Sequence, residues 1–220
     1  MASAEAYVQE LEDKNATSFQ RLLAAYAETV RKEDFSPADL LRLELKAIIE
    51  GTEVAALWLT ETDSLELKLA LAVQCGAGAR NFGLIRDRLA ALGVDPSTYD
   101  ARFGGYSKLF AFMRSLQTTE ERASAGPLTM RALNVQRLEV LAVHCDAKGD
   151  AETARFLRDI LASDERRHVD EGRKTLIELL GTEEAQARAR RAAFRTIELS
   201  GEVYEGSLLR KFLSRSLIKR

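Results

Sequence analysis

Glu165 and His168 form a Glu-x-x-His step, a spacing that suits metal binding. On a helix, residues three apart share a face, so a carboxylate and an imidazole at this spacing can reach one ion. Counting by threes and fours from Glu165 places both side chains in an apolar stripe. The stripe consists of Ala154, Leu157, Leu161, Val169, Gly172, Leu176 and Leu179. A buried carboxylate is costly unless it is paired, protonated or bound to metal, so the sequence predicts a compensating group in the core.

A helical pattern runs through the whole sequence. Of the 220 residues, 46% are apolar and only 3 are prolines, and apolar residues recur at three- and four-residue steps. Such periodicity favours helices, and no sustained alternation typical of strands is present. We therefore predict a single all-α domain over 1–220. The predicted helices are an N-terminal helix over 3–31, four long helices over 37–60, 64–92, 128–147 and 151–180, a short helix around 106–117, and a C-terminal helical extension over 182–218, interrupted near Gly201 and Gly206.

The lengths of the connections predict how the four long helices pair. About three residues join the first to the second and the third to the fourth, so each pair forms an antiparallel hairpin. A much longer crossover separates the two hairpins, with Pro96 near its start and Pro127 predicted to break the chain at its end. A weak internal repeat relates the hairpins and aligns Glu50 with Gln136 and Asn81 with His168.

This connectivity and the Glu-x-x-His step resemble the ferritin-like di-iron carboxylate superfamily, which includes rubrerythrin- and ferritin-like bundles. Members carry one Glu on each of two helices and Glu-x-x-His on each of the other two. The resemblance covers about 37–180 and implies a ferritin-like four-helix bundle with extra N- and C-terminal helices. It implies metal ligands on the first, third and fourth bundle helices. On the first helix either Glu50 or Glu53 would be the ligand. The implied metal ligands are Glu50, Glu53, Glu139, Glu165 and His168.

The sequence departs from the family pattern at three positions. Gly78 and Asn81 stand where the second bundle helix should carry Glu-x-x-His, and Gln136 stands where the third should carry a carboxylate. Glycine offers no ligand, and an amide is a poor ligand for iron compared with imidazole. The resemblance therefore implies a degenerate site that holds one iron or manganese ion or none. The alternative is a hydrogen-bonded polar relic in which Glu165 pairs with His168 or Asn81.

Three functions follow from this resemblance. The first is a ferritin-like metalloprotein, an oxidase- or oxygenase-type oxidoreductase with a mononuclear or incomplete di-iron site. In that case aromatic residues of the crossover would cover a small apolar substrate; they are Phe103, Tyr106, Phe110 and Phe112. The alternative is a catalytically inactive bundle retained as a binding or assembly module. Iron storage is a weaker third option because the missing ligands would impair ferroxidase chemistry.

Charge and composition restrict the partners, cofactors and cellular location that the sequence predicts. Thirty-two basic against 34 acidic residues give a net charge of −2, which predicts no nucleic-acid partner. No apolar run approaches the roughly 20 residues of a membrane span, and the first residues lack the features of a secretory signal, so we predict a cytoplasmic protein. Cys75 and Cys145 are too few for a disulfide framework. Gly76-x-Gly78-x-x-Asn81 lacks a third glycine and a preceding strand, so no nucleotide cofactor is predicted.

The chain ends and the helical glycines suggest partners. From Gln186 onward nine Lys or Arg residues accompany three Glu, and apolar residues give this tail an amphipathic pattern. Docking on its own bundle or on a second subunit is the favoured interpretation, and an anionic membrane surface is the less favoured alternative. The N-terminal helix would cover the bundle or dimerise, and we predict a homodimer. Gly76 and Gly78 permit either close helix approach or a cavity for a small apolar ligand in the bundle core.

Overall fold

A computed structural model of the chain describes residues 3–102 and 105–216. Within these residues the structure contains α-helices, two π-helical segments and one short 3-10 helix, and no strand. The all-α prediction is therefore confirmed. The α-helices are α1 (Ala4–Lys32), α2 (Pro37–Glu61), α3 (Leu65–Ala91), α4 (Lys108–Ser115), α5 (Thr119–Ala123), α6 (Arg131–Ala147), α7 (Ala151–Arg155), α8 (Ala162–Leu179), α9 (Glu183–Val203) and α10 (Gly206–Ser216).

Capping side chains explain where the long helices begin. The Ser36 hydroxyl accepts from the Asp39 backbone N–H while the Asp39 carboxylate accepts from the Ser36 backbone N–H, and Pro37 occupies the first helical position. This reciprocal capping box satisfies two backbone donors that have no partner within the helix. Ser64 and Thr182 cap α3 and α9 with their hydroxyl oxygens alone, which accept from the backbone N–H of Leu67 and Ala185. The helix starts predicted at these residues are confirmed.

The two predicted hairpins are present and pack against each other. Helices α2 and α3 form the first hairpin, and α6 and α8 form the second, joined by a turn in which Gly149 has a φ of +82°. Helix α2 contacts α6, and α3 contacts α8, so the two hairpins lie against each other. Helix α1 packs on α6, α8 and α9, while α9 packs on α4 and α5.

The prediction that Pro127 ends the crossover is wrong. Pro127 lies inside the first π segment (Ser124–Met130), and this segment joins α5 to α6 without a break. Proline in an α-helix removes a hydrogen bond and clashes with the carbonyl of the residue four positions before it. The wider turn of a π segment changes that hydrogen-bonding pattern and accommodates the ring. A second π segment (Phe156–Leu161) joins α7 to α8 in the same manner.

The terminal helices cover the bundle. The face of α1 that meets the core buries Leu23, Tyr26 and Val30, and α10 packs on α2 with Leu209 buried. Helix α9 runs through the interruption predicted at Gly201, and the break lies at Tyr204 and Glu205. The predicted helix to 218 extends beyond the described residues. No helix that the structure describes combines the length and apolar character needed to cross a membrane.

Helical glycines mark two close approaches between helices. A Cβ on Gly78 would lie 2.1 Å from Thr52 Oγ1 of the neighbouring α2, and a Cβ on Gly172 of α8 would lie 2.1 Å from Cβ of Pro127. Non-bonded heavy atoms do not approach so closely, so both sites require a residue without a side chain. Gly76 has open space around it. Of the two interpretations offered for the helical glycines, close approach therefore applies to Gly78.

Candidate functional site

Helix α8 turns Glu165 and His168 inward, as the apolar stripe predicted. His168 is 4% exposed, and the Glu165 side chain is 16% exposed. Arg131 Nη1 donates to Glu165 Oε1 at 2.8 Å, so an arginine supplies the compensating charge. Glu165 Oε2 and His168 Nδ1 are buried and have no hydrogen-bond partner within the described residues. The predicted pairing of Glu165 with His168 or Asn81 is therefore wrong.

A second ion pair, which the sequence did not predict, joins the two hairpins. Glu44 of α2 and Arg137 of α6 are 3% and 5% exposed, respectively. Both guanidinium Nη atoms donate to the carboxylate, with Arg137 Nη2 at 2.8 Å from Glu44 Oε2. Burial alone would lower the pKa of Arg137, but the charge and hydrogen bonds of Glu44, together with Tyr204 and Tyr26, outweigh it and hold the pKa well above its ordinary value.

Asn81 belongs to another polar contact between the hairpins. Its Nδ2 donates to Asp164 Oδ2 at 3.0 Å, and Arg80 and Arg167 also pair with Asp164. Burial would raise the pKa of Asp164, yet the hydrogen bonds from Asn81 and Arg80 lower it. Asp164 lies outside the apolar stripe predicted for this helix, yet these contacts bury it to 6% exposure.

Neither the predicted ligand Glu139 of the third bundle helix nor the degenerate position Gln136 faces the core. Gln136 is exposed, and Glu139 is exposed and accepts from Arg158 Nε at 2.9 Å. Because α1 and α8 both pack on α6, the buried face of α6 is turned by one residue from the predicted stripe and carries Arg137 instead. The expectation that Gln136 and Glu139 occupy the bundle interior is wrong.

The predicted ligands on the first bundle helix face the segment before α4. Glu50 accepts from Ser107 N at 2.9 Å and from Ser107 Oγ at 2.5 Å, and it pairs with Lys46 at 3.1 Å. Glu53 is half-buried, and its hydrogen bond with Tyr106 raises the pKa of that phenol. Neither Glu50 nor Glu53 is paired with the Glu165 and His168 side chains. Phe103, another predicted aromatic of this region, lies outside the described residues.

The central donor set does not fit a metal ion. Within the described residues, no three His, Cys, Asp or Glu side chains gather as an ion would require. The inward carboxylates Glu44 and Glu165 are instead paired with guanidinium groups of Arg137 and Arg131. Guanidinium groups neutralise carboxylates and stay protonated in proteins, so this centre is neutralised by the chain itself.

A mostly apolar cavity of about 220 Å³ adjoins these ion pairs. Its walls come from α2, the segment 105–107 with α4, the first π segment with α6, and the chain around Tyr204. The apolar lining includes Leu43, Val54, Trp58, Leu109, Phe110, Met113, Met130, Leu208, Leu209 and Phe212. Its polar lining includes Gln74, Arg131, Asn134, Arg137 and Tyr204. The cavity therefore combines a large apolar wall with a few polar groups, the usual composition of small-molecule sites.

We expect Glu44→Ala to destabilise the fold by about 3–5 kcal/mol, because it leaves the buried Arg137 charge without its partner. Glu139→Ala is the matched control, since it removes an exposed glutamate from an ion pair worth about 1 kcal/mol or less. The free energy of unfolding in urea measures both effects. Equal small losses for the two variants would contradict the importance assigned to the buried pair.

We expect stability to depend on His168 between pH 6.5 and 4. Burial, together with the charge of Arg131, lowers the pKa of His168 from 6.5 to about 4. The unfolded chain therefore binds more protons in this range, and stability present above pH 6.5 is lost as the pH falls, by about 3 kcal/mol at the acid end. Urea unfolding at several pH values measures the loss.

His168→Gln is the control for this prediction, because it removes the imidazole and keeps the neighbouring Glu165. The pKa of Glu165 is raised by burial, so Glu165 contributes to the pH dependence with the opposite sign in both proteins. The difference between the two pH curves therefore isolates His168. Parallel curves for parent and variant would contradict a buried, neutral imidazole.

No protein-family model matches the chain, and no curated protein or solved structure is significantly similar to it. Membership of the ferritin-like superfamily therefore stays a prediction from connectivity and the Glu-x-x-His step.

Proposed function

We propose that this chain is a catalytically inactive bundle of ferritin-like type that binds a small, mainly apolar molecule in the cavity beside its ion pairs. The observation that carries the proposal is the placement of Arg131 and Arg137 against the two inward glutamates. Two hairpins joined by a long crossover support the ferritin-like assignment. The homodimer and the cytoplasmic location stay predictions.

The arginines favour a binding role over metal-dependent chemistry. A metal ion in an open site neutralises carboxylates and also offers a coordination position to a substrate. A guanidinium group performs only the first of these tasks, because it donates hydrogen bonds and accepts no ligand. With Glu44 and Glu165 already compensated, the adjacent cavity is the part of the centre that remains open to another molecule.

The composition of the cavity supports an apolar ligand. Trp58, Phe110 and Met113 line it, and the Trp58 indole N–H is already bonded to the Met113 carbonyl oxygen at 3.2 Å. The volume of about 220 Å³ is several times the ~30 Å³ that a water molecule occupies in the liquid. Transfer of an apolar molecule from water to such a wall is favourable, at about 25 cal/mol for each Å² buried.

A metal-dependent oxidoreductase is the second candidate. It is favoured by two buried atoms of the predicted ligands, Glu165 Oε2 and His168 Nδ1, which have no hydrogen-bond partner in the described part of the chain. Both atoms belong to donor types that bind iron and manganese. Arg131, which is bonded to Glu165, would have to move for an ion to reach them.

The binding proposal predicts that a neutral apolar dye, N-phenyl-1-naphthylamine, binds in the cavity with increased fluorescence. Ala47→Trp adds a large side chain to the cavity wall and should weaken dye binding at least about tenfold. Ala79→Trp is the matched control, because Ala79 is also an exposed helical alanine and does not line the cavity. Absence of dye binding, or equal weakening by both variants, would overturn the proposal.

The two candidates also differ in metal content. Protein expressed with iron and manganese available should contain less than about a tenth of an ion per chain if the arginines neutralise the centre. Its melting temperature should not change when a chelator is added. About one ion per chain, lost in Glu165→Gln together with a fall in melting temperature, would instead favour the oxidoreductase.

A further inference from the structure

We infer that the cavity ligand is an amphiphile with a short apolar chain and a carboxylate head, and that Arg131 and Tyr204 hold the head. This inference rests on the proposed function and adds the chemical class of the ligand to it. Three features support it: the incomplete hydrogen bonding of Arg131, the unpartnered hydroxyl of Tyr204, and the sign of the charges in the lining.

Arg131 has hydrogen-bonding capacity left. Its Nη1 is bonded to Glu165, but its Nη2 reaches Gln74 Oε1 only at 3.5 Å, the outer limit of a hydrogen bond. A guanidinium carries five N–H donors in a planar fork that matches the two oxygens of a carboxylate. Across from Arg131, a Cβ on Gly51 would lie 3.5 Å from Nη2, so the glycine leaves free volume beside that nitrogen.

Tyr204 supplies a second donor at the same cavity. The residue is 7% exposed, and its ring lies 4.6 Å from that of Tyr26. Its Oη is buried and finds no hydrogen-bond partner among the described residues. Burying a hydroxyl group without a partner costs free energy, which an acceptor on a bound molecule would recover. Burial also raises the pKa of Tyr204, so the phenol keeps its proton and can donate it in a hydrogen bond.

The charges of the described lining favour an anion over a cation. Lys46, Arg131 and Arg137 are its cations, and Glu50 is its carboxylate. Arg137 uses both Nη atoms on Glu44 and its Nε on Asn134, and Lys46 pairs with Glu50 and donates to the Gly105 carbonyl oxygen. Of these three cations, Arg131 therefore retains the most donors for an incoming head group. A cationic head would face the guanidinium groups and be repelled.

The experiment compares three eight-carbon probes that differ only in the head group: octanoate, 1-octanol and octylammonium. Isothermal titration calorimetry at pH 7.5 measures each affinity for the full chain. We expect octanoate to bind at least about tenfold more tightly than 1-octanol, since its carboxylate accepts charge-assisted bonds. We expect octylammonium to bind more weakly than 1-octanol.

Two variants assign the head-group site. Tyr204→Phe removes one hydroxyl group and should weaken octanoate severalfold while leaving 1-octanol unchanged. Arg131→Gln combined with Glu165→Gln replaces the ion pair by a neutral pair and should abolish the preference for octanoate. Tyr7→Phe is the matched control for the first variant, because the Tyr7 hydroxyl is buried against the Gln186 carbonyl oxygen and lies outside the cavity lining.

The outcomes separate this inference from the proposed function. Equal affinities for octanoate and 1-octanol would overturn the carboxylate head and leave the apolar ligand standing. Failure of all three probes while the neutral dye binds would overturn the inference alone, and failure of the dye as well would overturn both. If the double variant does not fold, Tyr204→Phe decides: unchanged octanoate affinity in that variant contradicts the inferred site.

Discussion

Two opposite charges buried against each other tolerate little displacement, and Glu44 and Arg137 impose that restriction on the two hairpins. Both charges have already lost their hydration, so each would be left buried without its partner if the helices slid apart. The pair joins α2 to α6, and the contact of Asp164 with Asn81 and Arg80 joins α8 to α3. These polar contacts fix how the hairpins sit on each other, whereas apolar packing alone permits many similar arrangements. The cavity next to Arg131 is defined by this fixed geometry.

The centre of the bundle depends equally on residues that are small. Gly126 of the first π segment allows the Trp58 ring to approach, since a Cβ there would lie 2.7 Å from that ring. Gly51 leaves open volume beside the Arg131 guanidinium. The Trp58 ring thus occupies the volume that Gly126 leaves free, whereas the volume beside Gly51 stays open. The cavity and the ion pairs therefore belong to one packing arrangement. In this arrangement the buried charges are compensated within the chain, and the apolar wall of the cavity stays accessible.

Much of the fold was predictable from local signals, whereas the partners of the buried charges were not. Ser36 and Thr182 mark helix starts through hydroxyl capping, which depends only on residues within one turn. The buried face of α6 could not be chosen because its apolar residues spread around the helix, and a rotation of about 100° separates one residue from the next. A sequence signal for Arg137 did exist, because the apolar residues Leu133 and Leu141 stand four positions away on either side. The structure buries both of them. Its pairing with Glu44 depends on contacts between distant segments, which periodicity does not encode.

The π segments have a consequence for how this chain tolerates insertions and deletions. A π turn is equivalent to one residue added to an α-helix, and the surplus is absorbed locally instead of at a loop. Each of the two helices of the second hairpin carries one such residue, at Ser124–Met130 and at Phe156–Leu161. Removing one residue from either segment would therefore restore regular winding and leave the two halves of that helix in the same relative orientation. A residue removed from a regular α-helical part of the same helix would instead turn its two halves against each other by about a quarter of a revolution, and Arg131 or Glu165 would then leave the interior.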